Sequence, residues 1–299
     1  MLDINGTKVQ VRGSLLKIAR LDGEKFLFAS DPQSIIEGLR KASMRVDLFT
    51  FIQSASETTK KYSFPVAWDN LATIKLTTFD EWWSKRLGFK ARNKAKQAEK
   101  KGVVIREVPF SEELARGVRE IYNESPVRQG RKFPHFGKSF ETVYREEATY
   151  LDKSIFIGAY SGEKLIGFIK MIICDGGDQA GLLNIVSLLS ERDKAPTNAL
   201  VAAAVRACAS RGISYLTYSN FSYGQKQRDS LSDFKERNGF ERVDIPRYYV
   251  PLTSLGRVAF RIGLHRKISE RIPESLAGRL RDIRNAWYKR RFSNFRETS

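Results

Sequence analysis

The sequence predicts an α/β protein, and three observations support this fold class. Segments with alternating apolar residues, typical of strands, are interspersed with segments of helical periodicity that begin at Asp, Thr or Ser. The turn Ser161-Gly162-Glu163 separates two apolar runs and predicts a β-hairpin. Of the 299 residues, 41 % are hydrophobic, which is typical of a globular protein with a substantial core.

The first hundred residues predict a mixture of strands and helices. Two strands over residues 9–20 and 24–29 are expected to join around Asp22-Gly23, and Asp31-Pro32 begins a helix that ends at Ala42. Thr78, followed by an acidic first turn, begins a second helix that runs in two pieces to Lys101. Further strands are predicted over residues 46–53, 63–68, 71–76 and 103–108.

Beyond Pro109 the predicted order changes to helix, loop, hairpin, strand, helix and strand. Helices over 111–123 and 139–150 enclose a basic loop. The strands follow at 154–160, 164–174 and 179–189, an alanine-rich helix at 197–211, and a last strand at 213–219. After Thr253 the composition changes to a basic amphipathic helix that is broken near Pro273.

The formal net charge of +18 predicts a polyanionic partner, such as nucleic acid, anionic lipid or a phosphorylated substrate. The alternative is a generally basic surface that keeps the protein in solution. Clustering favours the partner, because residues 85–101 contain eight basic residues and one acidic residue. A second cluster, from Arg257 to Ser299, contains twelve Lys and Arg against four acidic residues.

Two cysteines, Cys174 and Cys208, lie far apart and lack the spacing of a metal site, so we expect buried thiols in a reducing compartment. The N-terminus carries no pattern of a secretory signal, and no apolar run approaches the roughly 18 residues of a membrane span. A cytoplasmic protein is therefore predicted, with peripheral contact to the inner membrane face as an option for the basic tail. His135 and His265 have no visible partners for a catalytic triad.

Several segments carry a resemblance to a known family. The segment from Leu231 to Phe240, with Phe234-Lys235 before Asn238-Gly239-Phe240, follows a long helix, Gly212 and a strand. It resembles the last third of GNAT-superfamily acyltransferases, and more narrowly the FemAB-like branch. The basic helix 92–102, Arg128-Gln129-Gly130 and the hairpin 156–167 are also similar to pieces of that branch. The resemblance implies tandem GNAT-like halves at 1–108 and 109–253, followed by a basic helical tail at 254–299.

FemAB-like enzymes move an amino acid from charged tRNA to a peptidoglycan precursor, so the resemblance implies an amide-forming aminoacyltransferase. The donor would be aminoacyl-tRNA, with no separate cofactor and no metal. Members that use acetyl-CoA place a glycine-rich loop before the long helix, but residues 190–198 contain no glycine and include Pro196. Two alternatives stay open: an N-acyltransferase that uses acyl-CoA or acyl carrier protein, and a non-catalytic module that binds nucleic acid or a membrane surface.

The resemblance also implies site residues. Lys235 matches a lysine with a proposed electrostatic role in the family, and it is the candidate for stabilising an oxyanion, against the alternative of a solvated helix lysine. From their own chemistry and position, and not from the resemblance, Asn184, Tyr218 and Asn220 are expected to bind substrate through hydrogen bonds or ring contacts. The alternatives are a strand whose aromatic residues pack in the core and a buried Asn184 that is hydrogen-bonded to the backbone. The same role is expected of three further residues: Tyr223, Phe234 and Arg128.

No general base is evident from the sequence. The candidates are Asp229, Asp233 and Glu191, and the amine could equally lose its proton to the substrate or to water. The candidates for contact with phosphate of tRNA or of a nucleotide-linked precursor are basic residues from three separate segments: Arg92, Lys96, Arg131, Lys132 and Arg247.

In the tail, apolar residues recur at helical spacing among arginines. This pattern fits a helix that lies on an anionic membrane, and equally one that packs its apolar face on the domain. The apolar positions are Leu255, Val258, Ile262, Ile268, Leu276, Leu280, Ile283 and Trp287.

Overall fold

The computed structural model describes residues 1–24, 28–29, 31–128, 131–222, 230–265, 279, 283–284 and 286–288. Helices lie against one large β-sheet. The strands are β1 (Leu2–Ile4), β2 (Thr7–Arg12), β3 (Ile18–Leu21), β4 (Leu48–Ile52), β5 (Val66–Lys75), β6 (Val103–Val108), β7 (Val127–Arg128), β8 (Arg131–Lys132), β9 (Ser154–Ser161), β10 (Lys164–Ile173), β11 (Gln179–Ser187), β12 (Tyr215–Thr217) and β13 (Glu241–Pro251).

The helices begin mostly where the sequence predicts. They are α1 (Pro32–Lys41), α2 (Phe79–Glu81), α3 (Phe89–Lys100), α4 (Glu112–Asn123), α5 (Phe140–Glu147), α6 (Pro196–Ser210), α7 (Ser230–Arg237) and α8 (Ser254–Arg261). A π-helical turn (Trp82–Arg86) continues α2, and short 3₁₀ turns occupy Leu151–Lys153 and Arg192–Lys194.

Among the described residues, eleven strands form the large sheet in the order β1-β2-β3-β4-β13-β5-β12-β11-β10-β9-β6, and β7 and β8 form a separate hairpin. The last strand of the sheet in the chain, β13, lies between β4 and β5, and pairs antiparallel with both. In turn, β5 lies between β13 and β12. One continuous sheet therefore contains a late strand, β13, between two early strands, and an early strand, β5, between two late strands.

From β6 onward the chain follows the element order of the GNAT acyltransferase fold. A strand and two helices precede three antiparallel strands, a long helix, a parallel strand, another helix and β13. The first part contains the antiparallel pair β2 and β3, followed by α1 and the parallel strand β4. The architecture is thus mixed α/β with tandem GNAT-like halves, as predicted. The boundary at 108 stays a prediction, and β6, just before it, pairs with β9.

The predicted helix starts are confirmed by their capping hydrogen bonds. Asp31, Thr78, Ser111 and Ser139 each accept a hydrogen bond from a backbone N–H three residues later. Gly102 ends α3 with a positive φ of 76°, a conformation that glycine adopts without steric cost. These termini depend on local chemistry alone, which explains why the sequence predicts them well.

Two sets of strand predictions were wrong, and one long strand was not predicted. The strand expected over residues 9–20 is divided into β2 and β3 by a turn at residues 13–17. Residues 22–24 form a turn as predicted, but Phe28 and Ala29 are not in a strand, and residues 25–27 lie outside the described residues. The two strands expected at 63–68 and 71–76 are one strand, β5, because β13 pairs along it from Val66 to Thr73 without interruption. The long strand β13 was not predicted from the sequence, and its two outer positions, Glu241 and Arg242, are exposed.

The large core lies around β9, β10, β11, α4 and α6, and a smaller aromatic core lies under β4 and β13. In the smaller core, Phe51 stacks on Tyr248 with ring centroids 5.0 Å apart. Both cysteines are buried and unpaired as predicted, and burial raises the pKa of Cys174 and of Cys208 to about 12. Such thiols are neutral and unreactive at physiological pH.

The helix α8 packs on the end of β13 through small residues. Thr253 caps it, donating to Asp47 Oδ1 at 2.7 Å and accepting from the Gly256 amide at 3.1 Å. Gly256 and Ala259 are buried, whereas Leu255, Val258 and Ile262 are exposed. Ile268, Leu276 and Leu280 of the predicted apolar pattern lie outside the described residues. Among the helices of the described ranges, none has the length and apolar character required to cross a bilayer.

We predict that Gly256→Ala destabilises the protein by about 1–3 kcal/mol. A Cβ at this position would lie 1.9 Å from the Asp47 carbonyl oxygen, so α8 would have to shift. Urea unfolding followed by circular dichroism measures the change. Arg257→Ala, at the next and exposed position, is the control. An unchanged free energy of unfolding for Gly256→Ala would contradict the packing of α8 on Asp47.

Candidate functional site

The large sheet opens between β11 and β12. The two strands are parallel and pair only over Gln179–Gly181 and Tyr215–Thr217. Beyond Gly181, β11 continues to Ser187 along β10, with a β-bulge where Lys170 and Met171 face Asn184 and Leu182. Residues 182–187 thus lack backbone partners from β12, and the strands leave a gap that we call the strand gap. A polar cluster lies near each of its two sides.

The first cluster contains Lys235, the predicted catalytic residue. Lys235 is fully buried on α7, and its Nζ donates to the carbonyl oxygen of Asn220. The same Nζ lies 4.7 Å from the centroid of the Tyr218 ring. A cation over an aromatic face is stabilised by the ring quadrupole. Lys235 is therefore not the solvated helix lysine of the alternative hypothesis, because its ammonium is held beside the segment that leaves β12.

A network of charges that joins the first half of the chain to β13 fixes this segment. Asn220 Nδ2 donates to Asp69 Oδ1 at 2.6 Å, and Asp69 Oδ2 accepts from Arg247 Nη2 at 3.0 Å. Arg247 Nη1 donates to Glu24 Oε2 at 3.0 Å. Burial alone would lower the pKa of Arg247, but the two carboxylates outweigh burial and raise it. The network connects β13 and β5 to the carbonyl that Lys235 contacts.

The second cluster lies under Asn184 on the other side of the strand gap. Glu147, at the end of α5, is 2 % exposed. Its Oε1 accepts hydrogen bonds from Tyr122 Oη and from Asn184 Nδ2, both at 2.9 Å. Oε2 of Glu147 is buried without a hydrogen-bond partner. Burial raises the pKa of Glu147, although the two donors and the charge of Lys170 oppose this effect.

Lys170 supports this cluster from strand β10. Its Nζ donates to the carbonyl oxygens of Glu147 and Thr149, both at 2.7 Å, and so caps the C-terminus of α5. Burial lowers the pKa of Lys170 to about 8. The sequence contains a signal for this residue, since Lys170 interrupts an otherwise apolar strand. We did not predict a role for it, nor for Glu147 or Tyr122.

Three of the predicted phosphate- or substrate-binding arginines are engaged inside the protein. Arg92 donates to the carbonyl oxygens of Ser84 and Leu87. Arg128 donates to the carbonyl oxygens of Ser187 and Ile121 and pairs with Glu124. With Arg247 held by Glu24 and Asp69, these guanidinium groups connect elements of the fold. The arrangement does not support the expectation that they bind phosphate or substrate.

The remaining predicted residues have different surroundings. Lys96, Arg131 and Lys132 are exposed, so their phosphate-binding role stays a prediction. Phe234 is half-buried against the large core, and Tyr223 lies outside the described residues.

Among the described contacts, none joins a candidate base to the side chain of Lys235 or Asn184. Asp229 lies outside the described residues. Asp233 lies 3.9 Å from Arg237, and Glu191 pairs with Lys194 at 2.8 Å.

The N-terminus of α6 differs from a glycine-rich phosphate cradle. Ala195 has a positive φ of 54°, and Pro196 occupies the first helical position and has no N–H to donate. The helix has no side-chain cap. Thr197 Oγ1 and Ser187 Oγ share a hydrogen bond of 2.8 Å that connects the helix to the end of β11. A pyrophosphate would find one donor fewer here than at a helix without proline.

Comparisons with solved structures show the fold. The chain is similar to L-PGS from Bacillus licheniformis, with a TM-score of 0.57, 16 % identity and coverage of 85 % of this chain and 84 % of that chain. It is also similar to the C-terminal domain of a predicted lysylphosphatidylglycerol synthetase from Agrobacterium fabrum, with a TM-score of 0.55, 15 % identity and coverage of 87 % and 86 %. At these identities the likeness concerns the fold alone.

FemX aligns with a TM-score of 0.48 and 10 % identity, covering 80 % of this chain and 83 % of that chain, which is too low a score to support the FemAB-like branch specifically. No protein-family model and no curated protein match the chain.

We predict that His135 titrates below its ordinary pKa of 6.5, because it is partly buried against Tyr122, 4.4 Å away between ring centroids, and near the Lys138 ammonium. His135 then binds a proton less readily in the folded protein than in the unfolded chain. Stability should therefore fall as pH decreases through about 6.5. An NMR titration of the two histidines measures the pKa, with His265→Gln for assignment. His135→Gln should remove this part of the pH dependence, and a pKa above 6.5 would contradict the burial argument.

Proposed function

We propose that this protein is an acyltransferase that forms an amide bond at the strand gap, with Lys235 stabilising the oxyanion. The observation that carries the proposal is the fully buried Lys235 ammonium beside Asn220 and Tyr218. A positive charge held in a poorly solvated site interacts strongly with charge that develops during reaction. Its position is fixed before the substrate binds, so little reorganisation is required.

The proposed donor is an aminoacyl ester of tRNA. The amine nitrogen attacks the ester carbonyl and forms the new C–N bond, which leaves negative charge on the carbonyl oxygen. The ester C–O bond breaks when this oxyanion collapses to the amide. The ribose hydroxyl leaves with one proton, and the amine loses one. Because the ester is already activated, the protein has chiefly to align the two reactants and stabilise the oxyanion. The exposed basic residues Lys96, Arg131 and Lys132 suit an RNA backbone, and the proline at the start of α6 disfavours acyl-CoA.

A membrane lipid is a second candidate acceptor, and the exposed face of α8 favours it. Leu255, Val258 and Ile262 are 42 %, 53 % and 65 % exposed, and Arg257 and Arg261 flank them. An apolar stripe bordered by arginines suits the surface of an anionic bilayer. Proteins of similar fold include one whose name specifies lysylphosphatidylglycerol synthesis. In this case a lipid hydroxyl would replace the amine, and the product would be an ester.

We predict that Lys235→Met lowers kcat by about a hundredfold, because the variant keeps the apolar stem and removes the charge. The assay supplies the protein with bulk aminoacyl-tRNA or with acetyl-CoA, each carrying radiolabel in the acyl group. Acceptors come from a cell extract, with or without phosphatidylglycerol vesicles. Arg237→Gln, an exposed basic residue of the same helix, is the control.

Label transferred from acetyl-CoA alone would contradict the tRNA donor but keep an acyltransferase, whereas full activity of Lys235→Met would contradict the role of Lys235. Label recovered in the lipid fraction would select the second acceptor. No transfer from either donor would favour an acyl carrier protein as donor or a binding role.

We further predict that Lys96→Ala/Arg131→Ala/Lys132→Ala weakens tRNA binding and reduces the slope of log K against log salt concentration by about 2–3, since each lost phosphate contact removes nearly one released counterion. Fluorescence anisotropy at several salt concentrations measures both quantities. The control is Lys8→Ala/Lys41→Ala/Lys164→Ala, which removes the same charge from three other exposed positions. Equal losses in the two triple variants would indicate diffuse attraction and not a defined site.

A further inference from the structure

In the cluster of Tyr122, Glu147 and Asn184, the side-chain amide of Asn184 is held in one orientation, which the proposed function does not explain. Two donors from different elements converge on one oxygen, Oε1 of Glu147, each at 2.9 Å. Tyr122 comes from α4 and Asn184 from β11. Tyr122 is fully buried and Glu147 nearly so, which shields their hydrogen bond from water, whereas the hydrogen bond from Asn184 is partly buried. The pair Tyr122–Glu147 therefore constrains the side chain of Asn184.

The constraint determines which end of the Asn184 amide points away from Glu147. Asn184 Nδ2 donates to Oε1 of Glu147, and the same oxygen accepts from Tyr122, so the NH₂ end of the amide faces the carboxyl group. The carbonyl oxygen Oδ1 is then directed away from the carboxylate. In the described part of the chain, no hydrogen bond involves Oδ1 of Asn184, and it is not among the buried atoms without a partner. A half-buried acceptor is thus held in one orientation by two buried residues.

The place of Asn184 in the sheet gives this orientation a consequence. Asn184 is three residues beyond Gly181, the last residue of β11 that pairs with β12, and it lies at the β-bulge opposite Lys170. It therefore borders the strand gap. The residues that hold Asn184 in place come from α4 and the end of α5, whereas Lys235 lies on α7. A reactant that contacts Asn184 would approach from a different set of elements than one that contacts Lys235.

We propose that Asn184 Oδ1 accepts a hydrogen bond from the attacking amine, and that Glu147 and Tyr122 are positioning residues that keep Oδ1 available. This inference rests on the proposed function and specifies its acceptor as a primary amine. The amine donates one N–H to Oδ1, which directs its lone pair towards the acyl carbonyl. If Glu147 served only to join α5 to β11, its replacement would lower stability without a selective effect on the acceptor.

A kinetic experiment tests the proposal with aminoacyl-tRNA as donor and methylamine as the acceptor probe. Asn184→Leu removes the acceptor oxygen at similar size, and we expect its KM for methylamine to rise about tenfold, equivalent to about 1.4 kcal/mol. Glu147→Gln no longer holds the Asn184 amide in one orientation, so we expect the KM for methylamine to rise about threefold in this variant. The KM for the donor should stay unchanged. Glu146→Gln, at the neighbouring position, is the matched control, because Glu146 pairs with Lys138 outside the cluster. Equal changes in donor and acceptor parameters would overturn the proposal.

An NMR experiment separates this proposal from the proposed function, since it requires no transfer. The side-chain NH₂ signal of Asn184, assigned with Asn184→Leu, is followed in asparagine-labelled protein during titration with methylamine, and with methanol for comparison. A saturable shift with methylamine that weakens in Glu147→Gln and persists in Glu146→Gln supports the amine site, even if no donor is used. Absence of a shift in the unmodified protein, or an equal shift with methanol, would overturn it.

Discussion

The pairing of β13 with β5 is the constraint on which the rest of the structure depends. Eight consecutive residues of each strand pair antiparallel, from Tyr248 opposite Val66 to Glu241 opposite Thr73. Because β13 also pairs with β4, and β5 also pairs with β12, this single contact joins the early and late parts of the chain into one sheet. Because β5 and β13 are far apart in the sequence, their pairing closes a long loop, which costs conformational entropy. Burial of the aromatic core under β13 and β4 offsets this cost.

The same pairing brings together the charges that hold the candidate site. Asp69 on β5 and Arg247 on β13 are 178 residues apart in sequence, and their side chains are hydrogen-bonded. Asp69 also binds Asn220, whose carbonyl accepts from Lys235. Asp69 and Arg247 are half-buried, so removing one of them would leave the other charge unpaired where solvation is reduced. The position of Lys235 is thus coupled to the joint between the two parts of the sheet.

The basic residues divide into two groups that composition does not separate. Arg92, Arg128 and Arg247 donate to backbone carbonyls or carboxylates and join elements of the fold. Lys96, Arg131 and Lys132 are exposed, where they are available to a polyanion. The planar guanidinium has several donors and is less strongly hydrated than an ammonium, so arginine suits the internal positions. The 52 Lys and Arg residues of the sequence therefore overstate how many basic groups are available for binding.

The sequence by itself determined the features that depend on neighbouring residues. The caps at Asp31, Thr78, Ser111 and Ser139, the end of α3 at Gly102 and the hairpin of β9 and β10 follow from local hydrogen bonds and backbone preferences. The motif around Lys235 predicted the fold class and one centre of the candidate site.

Only the tertiary structure decided that β5 is one strand and that β13 lies at the middle of the sheet. It also decided that Lys235 is buried and that Glu147 holds Asn184. These features arise from contacts between residues far apart in the chain, and burial changes both the charge and the hydrogen-bonding partners that a side chain requires.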